Sequence, residues 1–263
     1  MGTSHPITDA AAKAVDSAAP NLPTPPSRIH KPALFLDLDG VLAPLAETPE
    51  AVVPHPRRSR VLRQALARFD GRVAIVSGRT IAEIDRISDG VLDAASGVHG
   101  LERRRSDGSL HRLEPAEGVR AAVDAFEAFA RERPGVIVED KAVSAGLHFR
   151  QAREAGDEAM ALARRLAERT GLVMQPGNLV VELKTPGTDK GTAITAFMDE
   201  PPFAGAVPVM LGDDLTDEYG FRAADELGGF GVLVGPARAT AARYGLPDVD
   251  AVLDWLETLQ EVA

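Results

Sequence analysis

Two aspartates that are separated by one residue follow the first long apolar run of the chain. Asp37 and Asp39 come after Ala33-Leu34-Phe35-Leu36, a run typical of a buried parallel strand, and they precede Gly40. Ligands of open α/β sheets bind beyond the carboxyl ends of the strands, and alternation along a strand sends these two side chains to the same side. One carboxylate could attack phosphorus while the other moves a proton. Taken alone, the pair could also be a strand-end turn with capping aspartates.

Two later segments of the chain supply a hydroxyl, a glycine and two cations at the boundaries of predicted strands and helices. Ser77, Gly78 and Arg79 come directly after a second predicted strand, residues 73–76. Ser77 could donate its hydroxyl and its backbone N–H to a phosphoryl oxygen, and Gly78 lets the backbone approach a ligand closely. Lys190 begins a predicted helix, where the helix dipole disfavours a cation unless an anion lies opposite. Taken alone, Ser77 could be a helix cap and Lys190 a solvated surface lysine.

An acidic segment follows a third strand-like run, residues 207–211. Asp213, Asp214, Asp217 and Glu218 lie within six residues of one another in the sequence, and the chain has no cysteine. Hard oxygen ligands in small number suit Mg²⁺, and the absence of thiolates makes Zn²⁺ less favoured. The segment therefore predicts a Mg²⁺ site, with an acidic helix N-terminus as the alternative.

The composition excludes several classes of protein. The chain has 263 residues and a formal net charge of −10, with a pI of about 5.1. A nucleic-acid partner is not expected, because such proteins carry a basic surface. No apolar run reaches the length of a membrane helix, and the N-terminus lacks the core of a signal peptide. We therefore expect a protein of the cytoplasm without a membrane contact, and a monomer by default.

The order of the elements predicts an α/β fold. Apolar residues at helical spacing over 59–69 and 80–87 flank the strand at 73–76. Strand, helix, strand and helix in succession imply right-handed crossovers and a Rossmann-like parallel sheet. The same rhythm returns after residue 186 and continues to the helix predicted at 250–259.

Between the two halves of this pattern the rhythm changes to helix-strand-strand, repeated twice, which is typical of an antiparallel sheet with helices on one face. The sequence therefore predicts a discontinuous core, residues 29–106 and 186–263, with an inserted α+β cap domain at 107–185. Residues 1–28 are rich in proline and poor in large apolar side chains, and we expect a disordered tail there, with a docking segment as the alternative.

The four segments resemble the motifs of the haloacid-dehalogenase-like phosphatases, in the same order along the chain. The insertion falls between the second and third motifs, as in members with a C2-type cap. More narrowly, the chain is similar to the trehalose-6-phosphate phosphatases. The segments that carry this resemblance are 38–42, 77–79, 97–102, 139–141, 148–150, 181–183 and 212–218.

The resemblance implies a role for each core motif. Asp37 would attack phosphorus and bind Mg²⁺. Asp39 would protonate the leaving sugar oxygen and then activate water, and its backbone carbonyl would bind the metal. Asp213 would be the remaining protein ligand of the metal, supported by Asp214 and Asp217. The expected product is trehalose, formed from trehalose 6-phosphate through an aspartyl-phosphate.

The same resemblance implies where the substrate would be held. Ser77 and Lys190 would bind the phosphoryl group, and polar cap residues would bind the sugar. The residues expected to contact this small sugar phosphate are Gly78, Arg79, Glu139, Lys141, Arg150, Asn178 and Glu182. His99 is interpreted as a structural residue near the cleft, and His148 as a core residue or a residue that supports those in contact with the substrate, because Asp39 already supplies the acid-base group.

Three other functions remain open at this stage. The cap could select another sugar, such as sucrose phosphate or a mannosyl-phosphoglycerate. A non-catalytic domain that senses a sugar phosphate is a second possibility, although a sensor needs no nucleophile. A phosphoacceptor receiver domain also uses aspartates, a hydroxyl and a lysine, but this chain is about twice the necessary length.

Overall fold

The computed structural model describes residues 22–46, 48–177 and 179–262. Within these ranges the chain forms a mixed α/β structure with three sheets. The strands are β1 (Arg28–His30), β2 (Pro32–Leu36), β3 (Val73–Val76), β4 (Ala94–Gly97), β5 (Glu102–Arg104), β6 (Leu110–Arg112), β7 (Ile137–Asp140), β8 (Ser144–His148), β9 (Val173–Gly177), β10 (Val180–Lys184), β11 (Val207–Gly212), β12 (Phe230–Val234), β13 (Tyr244–Leu246) and β14 (Gln260–Val262). The helices are α1 (Pro56–Arg68), α2 (Ile81–Ser88), α3 (Gly118–Arg131), α4 (Gly156–Thr170), α5 (Lys190–Met198), α6 (Asp217–Glu226) and α7 (Val249–Thr258). Among the described residues, no helix combines the length and the apolar character that crossing a membrane requires.

The large sheet has eight strands in the order β13-β12-β11-β2-β3-β4-β5-β6. The six strands from β13 to β4 run parallel, whereas β5 and β6 add an antiparallel edge. This arrangement confirms the predicted α/β fold with a Rossmann-like core. Because β11, β2 and β3 are neighbours and parallel, their carboxyl ends meet at one edge of the sheet.

Helices cover both faces of the large sheet. Because successive side chains of a strand point to opposite faces, neighbouring residues of one strand belong to different cores. In β2, Leu34 and Leu36 join a core that also contains side chains of α1, α2 and α7. Ala33 and Phe35 join the opposite core with side chains of α5 and α6. A strand that is buried on both faces needs a continuous apolar run, which is why β2 contains five buried residues in succession.

The second sheet is antiparallel, with the order β7-β8-β10-β9. Helices α3 and α4 pack against it and share one core, in which Phe126, Leu147, Leu166 and Val181 are buried. These elements span residues 118–184. Strand β6 also falls inside the segment 107–185 but pairs with β5 of the large sheet. We therefore propose that the inserted cap begins after β6, and the domain division stays a prediction.

The segment predicted as a tail lies partly outside the described residues, which begin at Leu22. Leu22 packs with the core under α5 and α6, and the carbonyl of Pro26 accepts a hydrogen bond of 3.1 Å from the indole N–H of Trp255. Strand β1 then pairs in parallel with β14. Prolines remove backbone donors but leave carbonyl acceptors, so residues 22–28 bind to the core despite their composition.

Candidate active site

Three polar residues that the sequence predicted to meet are brought together by adjacent parallel strands. Asp37 follows β2, Ser77 follows β3 and Asp213 follows β11. The backbone N–H of Asp37 donates to the carbonyl of Leu211 over 3.0 Å, which continues the pairing of β2 with β11 up to the aspartate. Asp37 and Ser77 are both buried. The edge of the sheet thus presents a carboxylate, a hydroxyl and a further carboxylate at one place.

Lys190 is a buried cation that lies between two buried carboxylates. Its Nζ is 3.0 Å from Oδ2 of Asp37 and 2.6 Å from Oδ1 of Asp217. Burial opposes its charge, but Asp217 and Asp37 outweigh burial and raise the pKa of Lys190 above its usual value. The carboxylates explain why α5 can begin with a lysine against its own dipole. Lys190 is therefore a permanent positive charge beside Asp37.

The acidic loop after β11 is organised by Asp217. Its Oδ2 accepts the backbone N–H groups of Asp213 and Asp214, at 2.8 and 3.0 Å, while Oδ1 faces Lys190. Oδ1 of Asp214 accepts the N–H and the hydroxyl of Thr216, at 2.7 and 2.6 Å. Asp217 is fully buried and Asp213 is partly exposed. Asp213 and Asp214 both line the cleft, and Asp213 is the one whose carboxylate lies close to that of Asp37.

Three carboxylates could hold a metal ion at this place. Asp37, Asp213 and Asp217 offer oxygens that all lie within 4.8 Å of one another. Burial raises the pKa of Asp37 well above its usual value, and Lys190 only partly opposes this. Burial, together with Asp217 and Asp214, raises the pKa of Asp213 to about 7. The negative charge of the cluster is therefore incompletely balanced by Lys190, and an oxygen-seeking cation fits the donor set.

Asp39 is held by an arginine from the neighbouring motif. The Nε and Nη2 atoms of Arg79 lie 2.6 and 2.8 Å from the two carboxylate oxygens of Asp39, and Nη1 lies 3.3 Å from Glu83. Burial opposes the charge of Arg79, but the hydrogen bond to Asp39 raises its pKa. Both oxygens of Asp39 are engaged in this conformation. Sequence reasoning expected Arg79 to contact the substrate and did not anticipate this ion pair.

Three predicted substrate-binding residues meet on the cap face that looks toward the core. Nζ of Lys141 lies 3.4 Å from Oε2 of Glu139 and 3.6 Å from Oε2 of Glu182, and it donates to the carbonyl of Gly78 over 3.0 Å. Glu182 is buried; although burial opposes its charge, Lys141, His99 and Ser144 hold its pKa well below its usual range. The bond to Gly78 joins the predicted cap to the segment after β3.

The other two residues predicted to bind the sugar from the cap, Arg150 and Asn178, are not part of this group. Arg150 donates to the backbone carbonyl of Ala46, in the loop that follows Asp37 and Asp39. Asn178 lies outside the described residues. Sequence reasoning missed Gln175, which places its amide 2.8 Å from Nε2 of His99. Gln175 lies on β9 directly opposite Glu182 of β10, and this pairing identifies it as a candidate residue of the site. The pairing is known only from the folded sheet, so the sequence did not indicate it.

A cavity of about 390 Å³ separates the sheet edge from the cap. Its core wall includes Asp37, Ser77 and Asp213, and its cap wall includes Lys141 and Glu182. Cavities of this size accept small organic ligands. One end supplies cations and carboxylates suited to a phosphoryl group, and the other supplies hydrogen-bonding groups suited to hydroxyls.

Comparison with known proteins gives the family. A sequence model described as trehalose-phosphatase matches residues 35–250. A trehalose-6-phosphate phosphatase of Escherichia coli strain K12 is 38% identical over 236 residues, which cover 89% of this chain and 88% of that protein. The C-terminal domain of a trehalose-6-phosphate phosphatase of C. albicans has a similar structure, with a TM-score of 0.78 at 22% identity over 88% of this chain and 92% of that one. A phosphatase of the haloalkanoate enzyme superfamily from Bacteroides thetaiotaomicron gives a TM-score of 0.57 at 21% identity, over 91% of this chain and 96% of that one.

Proposed function

The chain belongs to the trehalose-phosphatase family, and we propose that it hydrolyses trehalose 6-phosphate to trehalose and phosphate through a phosphoryl group carried on Asp37. The observation that carries the proposal is the cavity between the core and the cap. It places the pair of Asp37 and Lys190 opposite the cap group of Glu139, Lys141 and Glu182. We also propose that the protein is a monomer and that it is located in the cytoplasm.

The first step forms a bond between a carboxylate oxygen of Asp37 and phosphorus and breaks the bond from phosphorus to the sugar oxygen. Asp39 donates a proton to that oxygen, so that trehalose leaves as a neutral alcohol. Lys190 and Ser77 hold the phosphoryl oxygens, whose charge is stabilised in a site shielded from water. Because Arg79 engages both oxygens of Asp39, proton donation requires that one of them be released.

The second step hydrolyses the aspartyl-phosphate. Asp39 accepts a proton from water, the water oxygen attacks phosphorus, and the bond to Asp37 breaks to give inorganic phosphate. The free carboxylate of Asp37 is thereby restored. Closure of the cap would limit the access of bulk water to phosphorus, and Asp39 orients the water that attacks.

We propose that the metal is Mg²⁺. Asp37, Asp213 and the backbone carbonyl of Asp39 would hold it, while Asp214 and Asp217 would support the loop. Asp217 is assigned to the loop in this proposal, because its Oδ2 accepts two backbone N–H groups of that loop while its Oδ1 faces Lys190. When bound, Mg²⁺ supplies positive charge that favours ionised Asp37 and neutralises the phosphoryl oxygens.

The Gly40→Ala variant tests the position of Asp213. Gly40 has φ of +79°, and a Cβ there would overlap the carboxylate of Asp213. We expect the Mg²⁺ concentration for half-maximal phosphate release to rise roughly tenfold or more, because the carboxylate must move. Gly228→Ala is the matched control, since Gly228 has φ of +83° and nothing within 4 Å of the added atom. Equal Mg²⁺ requirements in the two variants would contradict the assignment of Asp213.

The Lys141→Met variant tests sugar binding by the cap. Lys141 lies between Glu139 and Glu182 and is the cation of this group. We expect KM for trehalose 6-phosphate to rise roughly 10- to 100-fold, because one charged donor to the sugar is lost and two carboxylates are left with less compensation. Steady-state kinetics measures this change in KM. Lys31→Met is the control, because the exposed ammonium of Lys31 donates to the carbonyl of Ala204, away from the cavity. An unchanged KM would remove Lys141 from the sugar site.

The substrate itself is tested by phosphate release from a panel that contains trehalose 6-phosphate, glucose 6-phosphate, sucrose 6-phosphate and mannosyl-3-phosphoglycerate. We expect the first to give the highest kcat/KM, because a site built on hydrogen bonds to hydroxyls rejects sugars that leave those groups unpaired. A preference for another member would keep the core chemistry and overturn the sugar assignment. Turnover of none would favour a sensing domain.

A further inference from the structure

Two consecutive residues beside Ser77 and Gly78 have an unusual backbone conformation. Val98 and His99 have φ values of +46° and +52°. Residues with a side chain, and β-branched ones above all, rarely adopt the left-handed region. Such strain persists where the surroundings hold it, and it is concentrated at functional sites. Here the N–H of Val98 donates to the carbonyl of Arg79 over 2.9 Å, and the N–H of His99 donates to the carbonyl of Ser77 over 3.0 Å.

The strained turn directs the imidazole of His99 from the core into the cap. Nε2 lies 2.8 Å from the side-chain amide of Gln175 and 3.4 Å from Oε2 of Glu182. These two residues face each other on the paired strands β9 and β10. The ring also fills the space left by the missing side chain of Gly78, because a Cβ there would lie 2.6 Å from Nε2.

Glu182 is consequently oriented by three side chains, because Nζ of Lys141 also lies 3.6 Å from its Oε2. Its Oε1 accepts the hydroxyl of Ser144 over 2.5 Å, and its Oε2 faces His99. Ser144 belongs to the cap, whereas His99 belongs to the core. Lys141 is a cap residue that reaches this segment through the carbonyl of Gly78, whereas His99 is the partner of Glu182 that the core itself supplies.

We propose that His99 is a positioning residue that sets Glu182 and Gln175 for sugar recognition when the cap closes, and that Gln175 is a further residue of the sugar site. The proposal rests on the proposed function, because it deepens the account of how the same cavity selects its substrate. His99 touches neither the phosphoryl group nor the nucleophile in this assignment. It links the sugar end of the cavity to the phosphate end through one side chain.

The alternative is that His99 only supports the backbone of Ser77 and Gly78. The two roles predict different kinetics with a substrate that has no sugar. Loss of backbone support should affect both kinds of substrate, whereas loss of sugar positioning should affect only the sugar phosphate. We would compare kcat and KM of the full chain and of His99→Asn with trehalose 6-phosphate and with p-nitrophenyl phosphate. Asparagine tolerates the left-handed conformation but is too short to reach the cap, so the variant removes the side-chain contacts and keeps the turn.

We expect kcat/KM for trehalose 6-phosphate to fall roughly tenfold more than kcat/KM for p-nitrophenyl phosphate, mainly through KM. Adding His99→Asn to Glu182→Gln should cost less than His99→Asn costs in the wild type, because part of the effect of His99 passes through Glu182. Thermal unfolding measures whether each variant is folded, and His99→Ala, which also removes the side-chain contacts with the cap, replaces His99→Asn if that variant does not fold.

Equal losses for the two substrates, or fully multiplicative losses in the double variant, would overturn the positioning role. A wild-type protein that releases phosphate from p-nitrophenyl phosphate but not from trehalose 6-phosphate would overturn the proposed function and this inference with it. A wild type active on trehalose 6-phosphate whose His99→Asn variant shows no substrate-dependent loss would overturn the inference alone.

Discussion

Replacing Asp37 with asparagine should lower phosphate release from trehalose 6-phosphate by about 10⁴-fold or more, because an amide cannot form the covalent intermediate. The fold should survive, since the asparagine amide would keep the size of the carboxyl group and Lys190 would retain Asp217, 2.6 Å away. Burial raises the pKa of Asp37, so its ionised form is disfavoured in the folded protein. An acid whose pKa is raised by folding costs stability as the pH rises from its ordinary pKa through the raised one, and the neutral variant should therefore unfold at an equal or higher temperature at neutral pH in EDTA.

Steady-state kinetics measures the first effect and thermal unfolding measures the second. The control variant in both experiments is Asp124→Asn, on the exposed surface of α3. Asp124→Asn makes the same chemical change at a place where the only described partner of the carboxylate is Arg120, 2.8 Å away. Turnover retained within tenfold of wild type would remove Asp37 as the nucleophile. An inactive variant that also unfolds much earlier than wild type would contradict the argument that the carboxylate costs stability.

The Lys190→Met variant should lose both activity and stability. Methionine keeps an unbranched side chain but leaves Asp37 and Asp217 buried without their cation. Removing one partner of a buried ion pair typically costs about 3–5 kcal/mol. For a chain of this size that corresponds to a fall of roughly 10 °C in Tm. We also expect kcat to fall by about 10²-fold or more, since the phosphoryl oxygens lose a fixed positive charge.

Lys184→Met is the matched control, because Lys184 is also buried but its ammonium donates to the carbonyl of Thr188 over 2.9 Å. Burial lowers the pKa of Lys184, which shows that its charge is poorly compensated. Replacing it with an apolar side chain should therefore change Tm by only a few degrees. Equal losses of Tm in the two variants would mean that the carboxylates around Lys190 contribute nothing specific.

The core of the site could be predicted from sequence because each motif follows a buried strand. The continuous apolar runs before Asp37, Ser77 and Asp213 predict parallel strands, and parallel strands bring their carboxyl ends together. Lys190 could be placed beside a carboxylate because the helix dipole otherwise disfavours it. The family resemblance supplied the residues that are predicted to bind the sugar, which periodicity alone does not give.

The parts that could not be predicted depend on contacts between distant segments. Strands β5 and β6 carry four arginine and glutamate residues among six, a composition that does not indicate a strand, and they form because β4 offers an edge to pair with. The ion pair of Arg79 with Asp39 joins two motifs 40 residues apart. The contact of His99 with Gln175 and Glu182 requires both the strained turn and the closed cap.

The most direct test of the central claim is phosphate release from trehalose 6-phosphate by the full chain, in Mg²⁺ and in EDTA. We predict rapid release in Mg²⁺, loss of release in EDTA, and recovery when Mg²⁺ is added in excess, because Asp37, Asp213 and Asp217 offer oxygens within 4.8 Å of one another and Lys190 is the one cation that the described residues place between them. Release that is unaffected by EDTA would contradict the metal assignment. No release under either condition would contradict the assignment of this chain as a trehalose-6-phosphate phosphatase.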